Sequence, residues 1–321
     1  MEKIDAVIPW VDGNDPVLRQ KHLDYGDPKA LEFSDVGGET RFASVGEIFW
    51  CVSSINRNMP WINKIWIVTD NQDPCLESFL EKNFPEGFIP YEIVDHKTIF
   101  KGYEEYLPVF NSNSIESLVW AVPGLSDRFI LFNDDFLVIR KSFPEDFFVG
   151  DKYVCYGDRF SIPWERILYS LKPRRNGHKP VSFKKSMLNA ADLIQARGYF
   201  YYLRHTPRAL DKRFFSEYYS DHPDHLLLNI KDRFRSVRQY ESQELFYLAM
   251  RKQGRCICVP PSEVAFYVEP KRGDGYYDSK LDRLEKGDFK FCCFNSIDQA
   301  ADRERERVIS WVSKILDVDL V

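Results

Sequence analysis

The sequence predicts an α/β protein built on a parallel or mostly parallel sheet that binds a nucleotide. Three observations predict it. Apolar runs of strand length alternate with helix-period segments along the first half of the chain, in the order strand, helix, strand, helix, strand, helix, strand. Three of those strands end in aspartate-bearing loops, and open α/β sheets place ligands outside the carboxyl ends of their strands. In residues 129–139, FILFNDDFLVI, the polar residues Asn133, Asp134 and Asp135 interrupt an otherwise apolar strand. Adjacent buried carboxylates are costly unless neutralised, and a bound cation neutralises them economically. A solvated turn is the plain alternative. The immediate return to Phe136, Leu137, Val138 and Ile139 argues against it.

The first strand is IDAVIPW, residues 4–10, buried on both faces like a parallel-sheet strand. VDGNDP follows, with Asp12, Gly13, Asn14, Asp15 and Pro16 forming a dense turn signal. Its position after the first strand of an α/β unit favours ligand binding over a bare turn. In residues 42–57, Phe42, Val45, Ile48, Phe49, Val52 and Ile55 recur at helical spacing. Arg41 just before them is a phosphate fork or a surface charge.

KIWIVTD, residues 64–70, makes the second strand and ends in polar residues that include Asp70. A helix over 76–84 leads to a third strand over 89–95. In VFNSNSIESLVWAVPGL, Asn111 and Ser112 are cap residues for a helix whose face holds Ile115, Leu118, Val119 and Val122, stopped by Pro123 and Gly124. Its amino terminus suits an anion, or is a cap with no ligand.

Beyond residue 147 the character changes. Residues 156–179 are rich in Arg, Lys, Pro and Gly, which fits a lid over a phosphorylated substrate or a solvated loop. A helix is expected over 182–197 and a strand over 199–207 that ends near His205. Beside Arg204 and Arg208, this histidine reads equally as structural or catalytic. RFRS, with Arg233 and Arg235, precedes a helix over 242–253 closed by Gly254. Short strands follow in CICVP, VAFYV and FKFCCFN, the last ending at Asn295, and a charged amphipathic helix closes the chain.

The 321 residues, 44% hydrophobic and 15% aromatic, fill one large domain or one domain with a helical addition. A net charge of -5 argues against a general nucleic-acid binder. No apolar run is long enough to span a bilayer, and the opening residues lack a secretory signal. Seven cysteines with neither zinc-ligand spacing nor a disulfide framework favour a reduced, cytoplasmic setting.

These motifs together resemble the Stealth phosphotransferases. IDAVIPWVDGNDP resembles the first conserved region of that family. RFASVGEIFWCVSSINRNMPWINKIWIVTDNQDP, VFNSNSIES and the FNDD strand resemble the second, HTP and RFRS the third, and FCCFNSIDQAADRERERVISWVSKIL, less well, the fourth. The resemblance implies a Rossmann-like fold, a mostly parallel sheet binding a nucleotide sugar between flanking helices, with a mixed α/β and helical C-terminal part. It implies a divalent metal, Mg²⁺ or Mn²⁺, and transfer of a hexose-1-phosphate from a UDP-sugar to a sugar hydroxyl with release of UMP. Carried over by motif, Trp10, Asp12, Gly13, Asp15, Arg41, Asp70, Asn111, Ser112, Asn133, Arg233 and Asn295 bind substrate. Asp135 binds metal, and Asp134, His205 and Arg235 are catalytic, with Asp134 or His205 as the base. The chain is then a single catalytic domain over 1–321, with 1–147 binding the nucleotide sugar and 148–321 supplying lid and acceptor parts. An oligo- or polysaccharide would be the acceptor, and peripheral attachment to the inner membrane face is compatible with that. Two departures stand out: Pro9 replaces a usual threonine, and Asn295-Ser296 replaces a usual Asn-Asp, so that the role of that aspartate is lost or taken by Asp298. The competing readings are a metal-dependent glycosyltransferase releasing UDP and an inert sugar-nucleotide-binding protein.

Overall fold

The computed structural model describes residues 2–26, 45–173, 181–269 and 275–320. Its principal sheet is built from strands β1 (Ile4–Pro9), β2 (Ile65–Thr69), β3 (Tyr91–Asp95) and β4 (Arg128–Leu131). All four run parallel, with Ala6 opposite both Ile65 and Ile130. β1 and β2 are buried almost throughout, as expected of strands covered on both faces. The chain steps outward from β1 to β2 to β3 and then returns to the other side of β1 for β4. That reversal is a topological switch point, which opens a crevice at the carboxyl ends of β1 and β4.

Asp5 in β1 shows how the sheet handles a buried charge away from that crevice. Its carboxylate accepts from Asn63 Nδ2 at 2.7 Å, Trp66 Nε1 at 3.0 Å and the Ser126 amide at 2.8 Å. Three donors satisfy the group, so it needs no ligand.

The helix Glu47–Asn58 packs Cys51, Val52 and Ile55 into the core beneath the main sheet. It begins three residues after the undescribed stretch 27–44, so residues 42–44 of the helix expected from residue 42 lie outside the described residues, as does Arg41.

The expected strand 129–139 is two strands. β4 ends at Leu131, the Phe136 amide donates to the Asn133 carbonyl at 3.1 Å to close a tight turn, and β5 (Phe136–Val138) starts in a different sheet. Asp134 and Asp135 therefore occupy a corner between two sheets. Periodicity does not reveal this, because both flanks are equally apolar.

Strand β6 (Phe148–Val149) and the long β7 (Lys152–Ser161) come next, followed by a helix, Ile162–Leu171, capped by the Ser161 hydroxyl with Pro163 in its first turn. The expectation of a lid or loop over 156–179 is corrected for residues 156–171: Tyr153, Val154, Cys155 and Tyr156 are buried, so the strand forms despite its charged tail. Residues 174–180, most of KPRRNGHK, lie outside the described residues.

The helix Phe183–Leu193 ends earlier than expected, before Gln195 and Gly198, both at positive φ. β8 (Tyr199–Leu203) pairs with the second half of β7. Gly157 is needed there, since a Cβ would sit 3.2 Å from Tyr201 Cβ and 3.3 Å from the Tyr202 carbonyl. His205 lies in the short link from β8 to β9 (Arg208–Asp211), which adds antiparallel to β4 and completes the main sheet as β3-β2-β1-β4-β9.

The helix Ser242–Lys252 is buried from Ser242 to Met250. β10 (Cys256–Val259) pairs with β7. β11 (Ala265–Val268) and β12 (Phe291–Phe294) form a three-stranded sheet with β5, in the order β11-β12-β5. The last helix, Asp302–Leu316, seals it with Val308, Trp311, Val312 and Leu316. This smaller core, centred on Leu137, Phe266 and Phe294, is distinct from the large core under the main sheet.

Candidate active site at the sheet corner

The corner turn presents its two acids in different ways. Asp135 Oδ2 accepts a hydrogen bond from the Cys293 thiol at 3.2 Å, while Oδ1 is buried with no partner. Burial raises the Asp135 pKa to about 6, against the lowering effects of the Cys293 hydrogen bond and the Arg208 guanidinium. Asp134 is pushed well above the usual carboxylate range by burial, then by Asp135 and Glu47. The turn itself is pinned from beneath by Cys51, whose thiol donates to the Asn133 carbonyl at 3.6 Å.

The β8–β9 link brings His205 to the same corner. Single donor atoms of Asp135, His205 and Cys293 lie within 4.8 Å of one another. The imidazole stacks on Tyr267 of β11, with centroids 4.7 Å apart and planes at 28°, and its edge meets Phe136 at 6.0 Å. Burial, with Arg208 and Arg204 nearby, holds its pKa down to about 4, so it is neutral at neutral pH. Sequence reading missed Cys293 and Tyr267. No local signal marks either, because strand pairing alone brings them here.

Behind the corner lies a buried ionic network. Arg208 faces Glu116 at 3.8 Å, and Gln243 Nε2 donates to the same Glu116 carboxylate. Glu241 is raised to about 7 by burial and by Glu116, with Arg208 and Arg235 opposing. Arg235 donates to the Ser112 hydroxyl at 2.8 Å, and its Nε is buried without a partner, as is that of Arg208. Glu116 sits four residues after Ser112 in NSNSIES, and Arg208 three after His205.

The residues after β1 and β2 are largely engaged with one another. Trp10 is buried, and its Nε1 has no partner. Asp12 exchanges two bonds with Gln72, its amide to Oε1 at 2.8 Å and its carbonyl from Nε2 at 3.0 Å, while its Oδ1 accepts from the Asn14 amide at 2.8 Å. The Gly13 carbonyl accepts from Arg19 Nε at 2.9 Å. Asp15 caps the helix Pro16–Tyr25, accepting from the Val17 and Leu18 amides at 2.6 and 3.0 Å, and those donors lower its pKa. Asp70 pairs with Lys21 at 2.9 Å. The carboxylates of this edge thus shape the loop.

Asn111 likewise caps the helix Ser112–Glu116 through the Asn113 amide and donates to the Phe234 carbonyl at 3.3 Å. Arg233 donates to the Glu105 and Leu107 carbonyls, both at 3.2 Å, and covers the Tyr25 ring, so it braces a loop. Asn295 follows β12 and donates to the Ser296 hydroxyl at 3.2 Å.

Residues 2–27 match the family described as Stealth protein CR1, conserved region 1, and residues 41–155 match Stealth protein CR2, conserved region 2. Over these two regions the chain is similar to the Stealth family. Stealth region 2 runs from before the helix Glu47–Asn58 into β7 and so contains both the corner acids and Glu116. Among curated relatives, the chain is 39% identical over 149 residues to the capsular polysaccharide phosphotransferase LcbA of Neisseria meningitidis, covering 46% of this chain and 38% of LcbA. It is 39% identical over 157 residues to the receptor polysaccharide phosphotransferase WefC of Streptococcus gordonii, covering 48% of this chain and 44% of WefC. The matched stretch is thus less than half the length of either relative. A solved galactosyltransferase, LgtC in complex with donor and acceptor sugar analogs, superposes over 99% of this chain and 97% of its own at 12% identity with a TM-score of 0.49. Likeness of that degree carries no argument here.

Proposed function

We propose that this protein transfers a hexose-1-phosphate, such as N-acetylhexosamine-1-phosphate, from a UDP-sugar to a hydroxyl of an oligo- or polysaccharide at the cytoplasmic face of the cell. The observation that carries the reading is the corner itself. A carboxylate with a free buried oxygen, Asp135, stands beside a neutral imidazole, His205, at a switch point of the sheet. The relatives named as polysaccharide phosphotransferases support the choice of reaction.

A divalent cation fits these residues. Asp135 Oδ1 is a buried oxygen without a hydrogen-bond partner, and the His205 and Cys293 donors are close to it. Asp135 offers a hard oxygen ligand, which suits Mg²⁺ or Mn²⁺. When bound, the cation would neutralise pyrophosphate oxygens and the charge of the departing phosphate.

The chain's own groups do the rest. His205, being neutral, accepts the proton of the acceptor hydroxyl as its oxygen bonds to the sugar-bearing phosphorus and the pyrophosphate P–O bond breaks to release UMP. Burial, then Asp135 and Glu47, push the Asp134 carboxyl well above the usual carboxylate range, which disfavours the ionised form that a base needs. The buried Nε of Arg235 is available to a phosphate oxygen. Residues 1–147 would then hold the donor, while 148–321 supply His205, Arg235 and Cys293.

Incubation with UDP-N-acetylglucosamine, Mn²⁺ and an oligosaccharide acceptor tests the reading through the nucleotide released. UMP is expected. UDP would move the reacting centre to the anomeric carbon and make the protein a glycosyltransferase. Tight donor binding with no turnover on a panel of sugars and acceptors would mark an inert binder.

A further inference from the structure

The helix Ile162–Leu171 is amphipathic the wrong way round. It buries Ile162, Glu165 and part of Tyr169 against the protein, with Glu165 paired to Lys184 at 2.9 Å. Its outward stripe is Trp164, Ile167, Leu168 and Leu171, which are 59%, 50%, 39% and 74% exposed. Spacings of three, four and seven residues put all four on one side of two helical turns. Surface helices ordinarily turn this face inward, and a clustered, outward apolar stripe marks a contact surface.

We propose that this stripe inserts into the surface of an anionic lipid bilayer. Charge identifies the occupant. Lys172 and Lys185 both sit over the Tyr169 ring, at 5.8 and 5.4 Å, at the carboxyl end of the stripe. The sequence continuing past Leu171, KPRRNGHK, holds four cations and no anion. Lys172 and Lys185 thus set positive charge beside the exposed side chains of Trp164, Ile167, Leu168 and Leu171. Tryptophan and leucines at acyl depth, with lysines reaching headgroup phosphates, make an interfacial helix. A second copy of the chain fits less well, because four side chains on two turns fall short of the roughly 800 Å² per partner that a stable interface buries. The inference does not rest on the chemistry assigned to the corner.

Flotation of the full chain with vesicles tests it. Binding is expected to vesicles containing phosphatidylglycerol, weakly or not at all to phosphatidylcholine alone, and is expected to fall at least about tenfold in an Ile167→Glu/Leu171→Glu variant. That variant should keep its melting curve and its donor binding, since neither side chain is in the core. A Lys172→Gln/Lys185→Gln variant should lose the preference for anionic lipid while retaining residual apolar binding. Absence of wild-type binding to the anionic vesicles, or binding equal in wild type and the glutamate variant, would overturn the proposal. A dimer in light scattering that the glutamate variant dissolves, without vesicle binding, would assign the stripe to a second copy instead.

Discussion

The Cys293 thiol and the Asp135 carboxylate meet at 3.2 Å across the antiparallel pair β5 and β12, tying the acid of one sheet's corner to a strand of another. The thiol bond lowers the Asp135 pKa. Cys293→Ala removes that donor, so Asp135 titrates above its present value of about 6 and ionises only at higher pH. The acid limb of the kcat/KM profile is expected to move to higher pH in Cys293→Ala and to stay near wild type in Cys293→Ser. An unmoved limb in the alanine variant would show that the bond does not tune the site.

His205 and Asp134 should separate under mutation. Loss of a general base costs about 10²–10⁴ in rate, and that loss is expected for His205→Ala. Asp134→Asn should cost markedly less, because burial and the neighbouring Asp135 and Glu47 disfavour the ionised form of Asp134. Single-turnover rates with saturating donor would measure both. The reverse order would reassign the base.

Arg235→Lys keeps the charge and loses the planar fork. With its bond to Ser112 gone and no second nitrogen aimed at phosphate, kcat/KM is expected to fall by about 10–100-fold, the range of one or two charge-assisted hydrogen bonds. Steady-state kinetics on the purified variant would check this, and unchanged kinetics would remove Arg235 from the phosphate contacts.

How much of this was legible in the chain varied with the range of the interaction. β1, β2, β3 and the final helix follow from local apolar pattern, and the corner acids announce themselves by interrupting one. Arg41 lies outside the described residues. In the sequence Asp15 reads as a ligand-facing residue or as a turn residue making local backbone bonds, and its carboxylate caps a helix, which its position one residue before Pro16 also predicts. Cys293, Tyr267 and Glu241 were invisible, because what matters about them is the partner strand or helix that each faces. The helix Ile162–Leu171 was obscured for a different reason: its apolar stripe points outward and its neighbours are basic, so composition alone described it as loop.

His96 provides a test of stability. It is buried at the end of β3 with Nε2 lacking a partner, faces Asp70, Asp95 and Lys21, and burial lowers its pKa to about 4 from 6.5. The group is neutral in both folded and unfolded chains above pH 6.5. Below that pH the unfolded state takes up a proton that the folded state resists, so stability falls as pH drops from 6.5 toward 4. At about 1.4 kcal/mol per pKa unit, the loss between pH 7 and pH 5 is about 2 kcal/mol. Urea titrations at the two pH values should show this difference in the wild type, diminished in His96→Gln. An equal pH effect in both would place the sensitivity elsewhere.

The tight turn at Asn133–Phe136 leaves β4 in the large core and β5 in the small one. The chemistry is therefore hostage to a joint. Each half can keep its own hydrogen-bond ladder while the three donor atoms drift apart by more than catalysis tolerates, because proteins open in cooperative pieces rather than all at once. In mild urea, turnover should vanish while most of the helical signal survives. For this fold, surviving structure would be a poor guide to a surviving enzyme.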